Sequence, residues 1–427
     1  MISLTERGTT FTWVRRRAPK TVRKAHPLSN ASRWSSPEVP VIAEVKPDYL
    51  PLTETFVYEY VRALRRVRPI VVAEDIKHVD LFPVESLLHV RTHGLSFQER
   101  IVGRVLGILL GMQSGRTYRY YAALRRVRPH LVHAHFGPTG VLVLAAARRL
   151  GVPLLTSFYG YDVSALGRDP VWRAQYRALF VEGDLFLVEG PYMRERLIRL
   201  GCPPEKVRIQ RIAIDPEAFP FRPRVWREGP IRLLHVGRFV EKKGHEYTLR
   251  AFARVRARHL ASELYIIGEG PLGPRLMRLA EELGIADAVR WMGALPRAAY
   301  RDVAEQCHLL VHPSVTAATG DDEGGAPTVL LEMQASGMPI VATRHADIPY
   351  VVREGESARL VPERDVEALA DALLDLMEHP HRWRAMAEVG RDFVLERHNI
   401  WREAPRLEAL YLALLSGAHA PSWESTA

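Results

Sequence analysis

Short apolar runs alternate with longer amphipathic segments along most of the chain. In the first half, the apolar runs are rich in Val, Ile and Leu and fall at residues 39–45, 69–73, 130–134, 153–157 and 184–188. The segments between them, such as 54–66 and 141–150, repeat their apolar positions with the period of a helix. Strands buried on both faces are continuous apolar runs, and the helices that cover them carry one apolar face. The pattern therefore predicts an α/β domain with a doubly wound parallel sheet.

The second half repeats this scheme, with apolar runs at residues 231–236, 264–267, 289–292, 309–311 and 339–342. Between the halves, residues 220–230 contain three prolines and Gly229, which disfavour both helix and strand. We therefore predict two Rossmann-like domains, at 38–224 and 225–398, whose strand ends face a central cleft. A helical pattern continues to residue 415, so we expect the segment 399–427 to return to the first domain.

Composition agrees with two domains, because 427 residues with 47% hydrophobic content are enough for two buried cores. The net charge of +10 is uneven: residues 1–37 hold eight basic side chains and one acidic side chain. The rest of the chain is close to neutral, which disfavours a nucleic-acid partner. We interpret residues 1–37 as a flexible basic leader.

Cysteine content and hydropathy indicate a cytoplasmic protein. Cys202 and Cys307 are far apart, which fits neither a disulfide framework nor a zinc site, so we expect both to be packing groups. No apolar run reaches the roughly 18 residues needed to span a bilayer. Residues 98–126 carry an apolar stripe flanked by arginines, which is typical of an interfacial helix. We expect this stripe to pack on its own sheet, with contact to the inner face of the cell membrane as the alternative.

A glycine turn with two cations follows the first strand of the second half. Gly237 ends the strand, and Arg238 and Lys243 follow before a predicted helix. Two cations beside the amino terminus of a helix favour an anion, and a diphosphate fits this spacing. A solvated basic turn is the alternative.

An acidic, glycine-rich loop precedes another helix in the second half. Gly324 and Gly325 permit close approach of the backbone, and Pro327 suits the first turn of a helix. Free amides at residues 326–329 would face a phosphate, and Glu332, one turn further, would accept hydrogen bonds from sugar hydroxyls. An acidic loop that caps an ordinary helix is the alternative.

Together these motifs resemble the retaining glycosyltransferases of family 4, which have the GT-B fold, in particular those of bacterial exopolysaccharide and colanic-acid synthesis. The resemblance covers residues 41–415 and depends on six segments: Leu52-Thr-Glu-Thr-Phe56, His133-Ala-His-Phe-Gly137, Tyr159-Gly-Tyr-Asp162, Gly237-Arg-Phe-Val-Glu-Lys-Lys-Gly244, Gly268-Glu-Gly-Pro271 and residues 323–339. It implies a UDP- or GDP-sugar as donor substrate, a polysaccharide or lipid-linked acceptor, and no cofactor or metal.

The resemblance also implies roles for individual residues. Arg238 and Lys243 would bind the donor diphosphate, Glu332 the ribose hydroxyls, and Glu323 the transferred sugar. The remaining residues implied to contact the donor are Gly237, Gly325, Ala326, Pro327 and Thr328. Retention in this family is usually ascribed to attack on the face that the diphosphate leaves, so the protein would act by positioning and electrostatics.

Two positions depart from the family pattern. Glu323 and Glu332 are separated by one residue more than is usual, and Asp322 is therefore a rival for the contact with the sugar. Tyr159 stands where many members place a histidine that contacts the donor, and a tyrosine does not titrate near neutral pH.

The first half contributes candidate cleft residues at the ends of its predicted strands. His133 and His135 lie on the same side of one strand, and we expect His135 to line the cleft. Asp162 is a similar candidate, with a turn or helix-capping aspartate as the alternative.

Two other functions compete with sugar transfer. Residues 267–273 match the dinucleotide fingerprint by letter, which would suggest an NAD-dependent dehydrogenase, although Pro271 interrupts the turn. The basic leader would suit a membrane- or nucleic-acid-binding protein without catalysis. Asp321, Asp322 and Glu323 would also suit a magnesium site, but the nearby helix start and the two cations favour metal-free binding.

Overall fold

The computed structural model describes residues 39–51, 54–78, 80–112, 114–419 and 421. The predicted leader lies outside these described residues. Those that are described belong to one compact unit.

The first half of the chain forms a parallel sheet, as predicted. Its strands are β1 (Val41–Val45), β2 (Asp48–Tyr49), β3 (Arg68–Ala73), β4 (Asp75–Ile76), β5 (Leu87–His89), β6 (Leu131–His135), β7 (Leu154–Ser157), β8 (Leu185–Val188) and β9 (Val207–Ile209). Seven of them pair in the order β5-β3-β1-β6-β7-β8-β9, while β2 and β4 pair separately. The order reverses around β1, as in a doubly wound sheet.

A second parallel sheet follows the linker. Its strands are β10 (Ile231–Val236), β11 (Ser262–Ile267), β12 (Val289–Trp291), β13 (Leu309–His312), β14 (Ile340–Thr343) and β15 (Ala358–Val361). They pair in the order β12-β11-β10-β13-β14-β15, so the chain again reverses direction across the sheet at its first strand. Residues 220–230, between the two sheets, form neither helix nor strand.

Helices cover both sheets. They are α1 (Thr55–Ala63), α2 (Phe97–Leu109), α3 (Gly115–Val127), α4 (Gly137–Leu150), α5 (Pro170–Glu182), α6 (Pro191–Arg199), α7 (His245–Arg258), α8 (Gly273–Glu282), α9 (Arg297–Glu305), α10 (Thr328–Ser336), α11 (Val366–Glu378), α12 (Trp383–Arg397) and α13 (Ile400–Ser416). Several of these helices begin with a capping side chain that accepts a hydrogen bond from an amide of the first turn. Examples are Asp365 at α11 and Asn399 at α13.

The last helix packs against the first sheet. Leu407 and Leu410 of α13 are buried together with Ile42 of β1 and Leu155 of β7. The chain therefore crosses back from the second sheet to the first. Cys202 and Cys307 are buried free thiols, which confirms that they are packing groups.

Candidate active site

A cleft opens where both halves of the chain present the carboxyl ends of their strands. Its volume is about 520 Å³, within the range of small-molecule sites, and residues of both halves line it. From the second half it receives Gly237, Arg238, Lys243, Glu323, Ala326, Pro327, Thr328 and Glu332. The predicted donor-binding residues thus converge on one cleft, except Gly325, which does not line it.

The turn between β10 and α7 has a backbone shape that glycine alone permits. Residues 241–243 form one turn of 3₁₀-helix, and Gly244 ends it with φ of 68°. A Cβ atom on Gly244 would lie 1.8 Å from the carbonyl oxygen of Pro313. The close approach fixes the end of the turn and places Lys243 at the cleft.

The two cations of this turn differ in their contacts. Arg238 is exposed, and within the part of the chain that the structure describes its guanidinium has no hydrogen bond or ion pair. The Nζ atom of Lys243 lies 2.7 Å from Oε2 of Glu323. Of these two cations at the cleft, Arg238 is uncompensated and Lys243 is paired with a buried carboxylate.

Glu323 is held as an ionised carboxylate. Its other oxygen, Oε1, accepts a hydrogen bond of 2.7 Å from the hydroxyl of Ser314. Burial alone would raise the pKa of Glu323, but the ammonium of Lys243 and contact with His312 hold it well below its usual range. Asp322 is buried on the opposite side, in an ion pair with Arg196, and does not line the cleft. The geometry thus favours Glu323 over Asp322 as the acidic group that faces a ligand.

The additional glycine of the acidic loop makes room for a carboxyl group that sequence reasoning missed. A Cβ atom on Gly325 would lie 1.6 Å from Oε2 of Glu189, which follows β8. The same oxygen accepts a hydrogen bond of 2.6 Å from the amide of Ala326. The expectation that this amide is free is therefore wrong. The backbone amides of Thr328 and Val329 lie in the first turn of α10, so no helix carbonyl one turn earlier accepts a hydrogen bond from them.

Glu332 lies inside α10 and lines the same cleft. The hydroxyl of Tyr300 donates a hydrogen bond of 2.9 Å to Oε2 of Glu332. Burial raises the pKa of Glu332, because few charges offset the loss of water around it. Glu323 and Glu332 therefore have pKa values that are shifted in opposite directions.

The first-half candidates are less exposed to the cleft than predicted. Tyr159 lines it, whereas His135 is buried behind Tyr159, and its Nδ1 atom lies 2.7 Å from the Tyr159 hydroxyl. Asp162 is buried and accepts hydrogen bonds from the amides of Gly137, Tyr159 and Gly160. The structure thus gives Asp162 the geometry of a turn and helix-capping aspartate, and burial raises its pKa to about 6.

His133 and His135 lie side by side, as the period of a strand predicts, with ring centroids 4.2 Å apart. Both contact Oε2 of Glu44 at 3.0 Å, which no sequence motif indicated. Their side-chain ligand atoms lie within 4.8 Å of one another, a set of donors that can bind a metal ion. The hydroxyls of Tyr411 and Ser157 complete the hydrogen bonding of this buried cluster.

The two halves touch beside the cleft through backbone and side-chain contacts. A Cβ atom on Gly160 would lie 2.5 Å from the carbonyl oxygen of Glu323, so the two main chains meet there. Asp347, after β14, accepts hydrogen bonds from the amides of Tyr192 and Met193 at the start of α6. The second half thus caps a helix of the first half.

Helix α2 does not follow the expectation that its apolar stripe packs on its own sheet. Ile108 is 66% exposed and Leu109 73% exposed, and Ile101 and Val105 are also exposed. The buried positions of α2 are instead its glycines, Gly103 and Gly107, which lie against α3. Among the described residues, no helix is both long and apolar enough to cross a membrane.

Comparison with known proteins agrees with this architecture. Residues 53–218 match the domain described as Glycosyltransferase Family 4, and residues 230–379 match the domain described as Glycosyl transferases group 1. The solved structure of HepE from Anabaena in complex with UDP and glucose superposes with a TM-score of 0.73 at 14% identity, covering 88% of this chain and 100% of that one. The prediction of two Rossmann-like domains in the GT-B arrangement is therefore confirmed.

Curated relatives give the same family. The chain is 35% identical to the putative colanic acid biosynthesis glycosyltransferase WcaL of Salmonella typhimurium, over 61% of this chain and 66% of that protein, slightly less than two thirds of its length. It is 30% identical to the GDP-mannose-dependent α-(1-6)-phosphatidylinositol monomannoside mannosyltransferase of Mycolicibacterium smegmatis, over 62% of this chain and 72% of that protein. With its fold, its motifs and these matches agreeing, the chain belongs to glycosyltransferase family 4.

Proposed function

We propose that the protein transfers a sugar from a UDP- or GDP-sugar to a polysaccharide or lipid-linked oligosaccharide, with retention of anomeric configuration and without a metal ion. The observation that supports this most is the convergence of Arg238, Lys243 and the amino terminus of α10 on one cleft. Two cations and free helix amides are a combination that binds a diphosphate. Family membership is the reason to prefer this function to a dehydrogenase or a non-catalytic binding protein.

The chemistry of the step follows from where the charges lie. As the bond between the sugar and the diphosphate breaks, negative charge develops on the departing phosphate, and Arg238 and Lys243 stabilise it. Glu323 orients Lys243 and faces the transferred sugar, while Glu332, with its raised pKa, exchanges hydrogen bonds with ribose hydroxyls. The acceptor hydroxyl attacks from the side that the diphosphate leaves and gives its proton to the departing phosphate oxygen, which retains the configuration without a covalent enzyme intermediate.

Transfer assays with and without chelator test this mechanism. We expect transfer to an acceptor to continue in excess EDTA, because the protein supplies the cations that other transferases obtain from a metal. The anomeric signal of the product, read by NMR, should match that of the donor sugar. Loss of transfer in EDTA that added magnesium or zinc restores would contradict metal-independence, and an inverted product would contradict retention.

The acceptor side of the proposal includes contact with the inner face of the cell membrane through α2. The exposed side chains Ile108 and Leu109 stand next to the exposed Arg100 and Arg104, which suits a surface with apolar chains below anionic headgroups. Burial of one such side chain in the membrane contributes roughly 1.5–3 kcal/mol. The cytoplasmic protein would thereby reach a lipid-linked acceptor.

Liposome flotation tests the membrane contact. We expect the protein to float with phosphatidylglycerol vesicles and to float less with phosphatidylcholine vesicles or at high salt. Ile108→Asp combined with Leu109→Asp should abolish flotation. As a control, Leu260→Asp changes a side chain that is 78% exposed in the second half and should leave flotation intact. A wild-type protein that stays at the bottom of the gradient would rule out this contact.

A further inference from the structure

The ring and the hydroxyl of Tyr159 lie in different environments. The ring lines the cleft, and the hydroxyl turns away from it towards the buried cluster around Glu44. There the hydroxyl lies 2.7 Å from Nδ1 of His135. Tyr159 therefore offers a ligand in the cleft mainly its aromatic ring.

The partners of His135 determine the direction of this hydrogen bond. Nε2 of His135 lies 3.0 Å from Oε2 of the Glu44 carboxylate, whose other oxygen accepts a hydrogen bond from the Tyr411 hydroxyl. A carboxylate oxygen accepts, so Nε2 donates to it, and in a neutral imidazole the remaining nitrogen is an acceptor. Nδ1 of His135 therefore accepts a hydrogen bond from the Tyr159 hydroxyl. The only hydroxyl proton of Tyr159 is thus engaged inside the protein.

Two phenylalanines extend the ring of Tyr159 into a larger surface. The ring centroids of Phe56 and Phe136 each lie 4.8 Å from that of Tyr159. Phe136 and Tyr159 are half-buried at the cleft, with Phe56 buried behind them. The ammonium of Lys46 lies 5.1 Å from the centroid of Phe136.

The backbone of Phe136 is strained in a way that suggests a functional reason. Its φ of 74° belongs to a region that bulky residues rarely adopt. Such strain persists where the surrounding structure enforces it, and it concentrates at binding and catalytic sites. Here it occurs between the end of β6 and the start of α4, at the point where the side chain of Phe136 reaches the cleft.

We propose that Tyr159 and Phe136, supported by Phe56, bind the apolar C–H face of a pyranose ring of the acceptor, with His135 and Glu44 as positioning residues for Tyr159. An aromatic face carries partial negative charge, which attracts the weakly positive C–H groups of a sugar. Because the hydroxyl of Tyr159 is bonded to His135, it does not offer the donor the polar contact that a histidine makes at this position in many family members. We therefore assign this first-half surface, which shares the cleft with the cations and α10 of the second half, to the acceptor. This inference rests on the proposed function, because it assigns the second substrate of the same cleft.

Saturation-transfer NMR with simple glycosides tests this inference. The probes are methyl glucopyranoside, methyl galactopyranoside and methyl mannopyranoside, each with UDP or GDP present. Irradiation of aromatic protons should transfer saturation to the C–H protons on one face of at least one glycoside. Tyr159→Leu should weaken binding of that glycoside about tenfold, whereas Tyr159→Phe, which keeps the ring, should weaken it by no more than about threefold.

Controls separate this inference from the proposed function and from a folding defect. Phe180→Leu changes a buried aromatic residue of the first-sheet core, away from the cleft, and should leave saturation transfer unchanged. Stabilisation by UDP or GDP is measured on every variant, because it reports the donor site alone. Equal losses in Tyr159→Phe and Tyr159→Leu would overturn the inference, since the hydroxyl would then act on the ligand. So would an absence of transfer to all three glycosides in a protein that UDP or GDP stabilises.

Discussion

At the scale of single residues, neighbouring groups shift the pKa values of two carboxyl groups at the cleft in opposite directions. Glu323 is ionised because an ammonium group and a hydroxyl compensate for its burial. The pKa of Glu332 is raised because burial dominates. Pairs of carboxyl groups shifted in opposite directions are typical of sites in which each group has a separate role.

Asp347 gives a prediction about pH and stability. Burial raises its pKa from 3.8 to about 7, so the folded protein keeps a proton there that the unfolded chain has released. The contribution of Asp347 to the free energy of unfolding therefore falls as the pH rises from 3.8 to about 7. Asp347→Asn, measured by urea unfolding across the window, should lose less stability with rising pH than the wild type. Asp371→Asn, at an exposed site, should keep the wild-type dependence. Identical slopes in Asp347→Asn and the wild type would contradict this account.

The positions of cleft residues that are fixed by a nearby strand end or helix start could be predicted from the sequence. Contacts between segments that are distant in sequence could not. Arg238, Lys243 and Glu332 stand at fixed offsets from a strand end or a helix start, so their positions follow from local structure. Glu189 and Asp347 contact segments far away in sequence, where no spacing rule applies. The additional glycine at Gly325 indicated an altered loop, but the sequence could not show that the carboxyl group of Glu189 occupies the space beside it.

At the scale of secondary structure, the glycine that ends the 3₁₀ turn gives a second prediction. Gly244→Ala and Gly284→Ala both place a side chain at a φ near 67°, which costs roughly 1–2 kcal/mol. A Cβ on Gly284 meets nothing within 4 Å, whereas one on Gly244 would collide with Pro313. We therefore expect Gly244→Ala to lose about 1–3 kcal/mol more in urea unfolding than Gly284→Ala. Equal losses would show that the close approach does not fix this turn.

Apolar patterns located most strands but could not show what covers a helix. β10 has the predicted bounds, because its apolar run is continuous. Five strands, β2, β4, β5, β9 and β15, were not predicted, since short strands with polar positions give weak signals. In α2, the stripe marks the apolar side correctly, but glycine backbones rather than that stripe face α3. Periodicity does not distinguish these two ways of packing.

At the scale of the whole molecule, the two halves of the chain contribute different chemical groups to the lining of one cleft. The second half contributes the cations and the helix amides, and the first half contributes the aromatic surface and the buried Glu44 cluster. Glycine backbones and the cap that Asp347 forms on α6 hold the halves close enough for both to contact one ligand. In the proposed function, closure of this cleft around the donor would exclude water and limit hydrolysis of the donor.

The most direct test of the central claim is the shift in melting temperature on addition of UDP, GDP, uridine and guanosine. Because a ligand that binds only the folded state stabilises it, we expect UDP or GDP to raise the melting temperature and the nucleosides to do so far less. Arg238→Ala removes a cation without leaving a buried partner, and it should weaken nucleotide binding about ten- to a hundredfold. Arg254→Ala, at an exposed ion pair elsewhere in the second half, should bind as the wild type does. If neither nucleotide stabilises the protein, or if Arg238→Ala binds them normally, the cleft is not a diphosphate site.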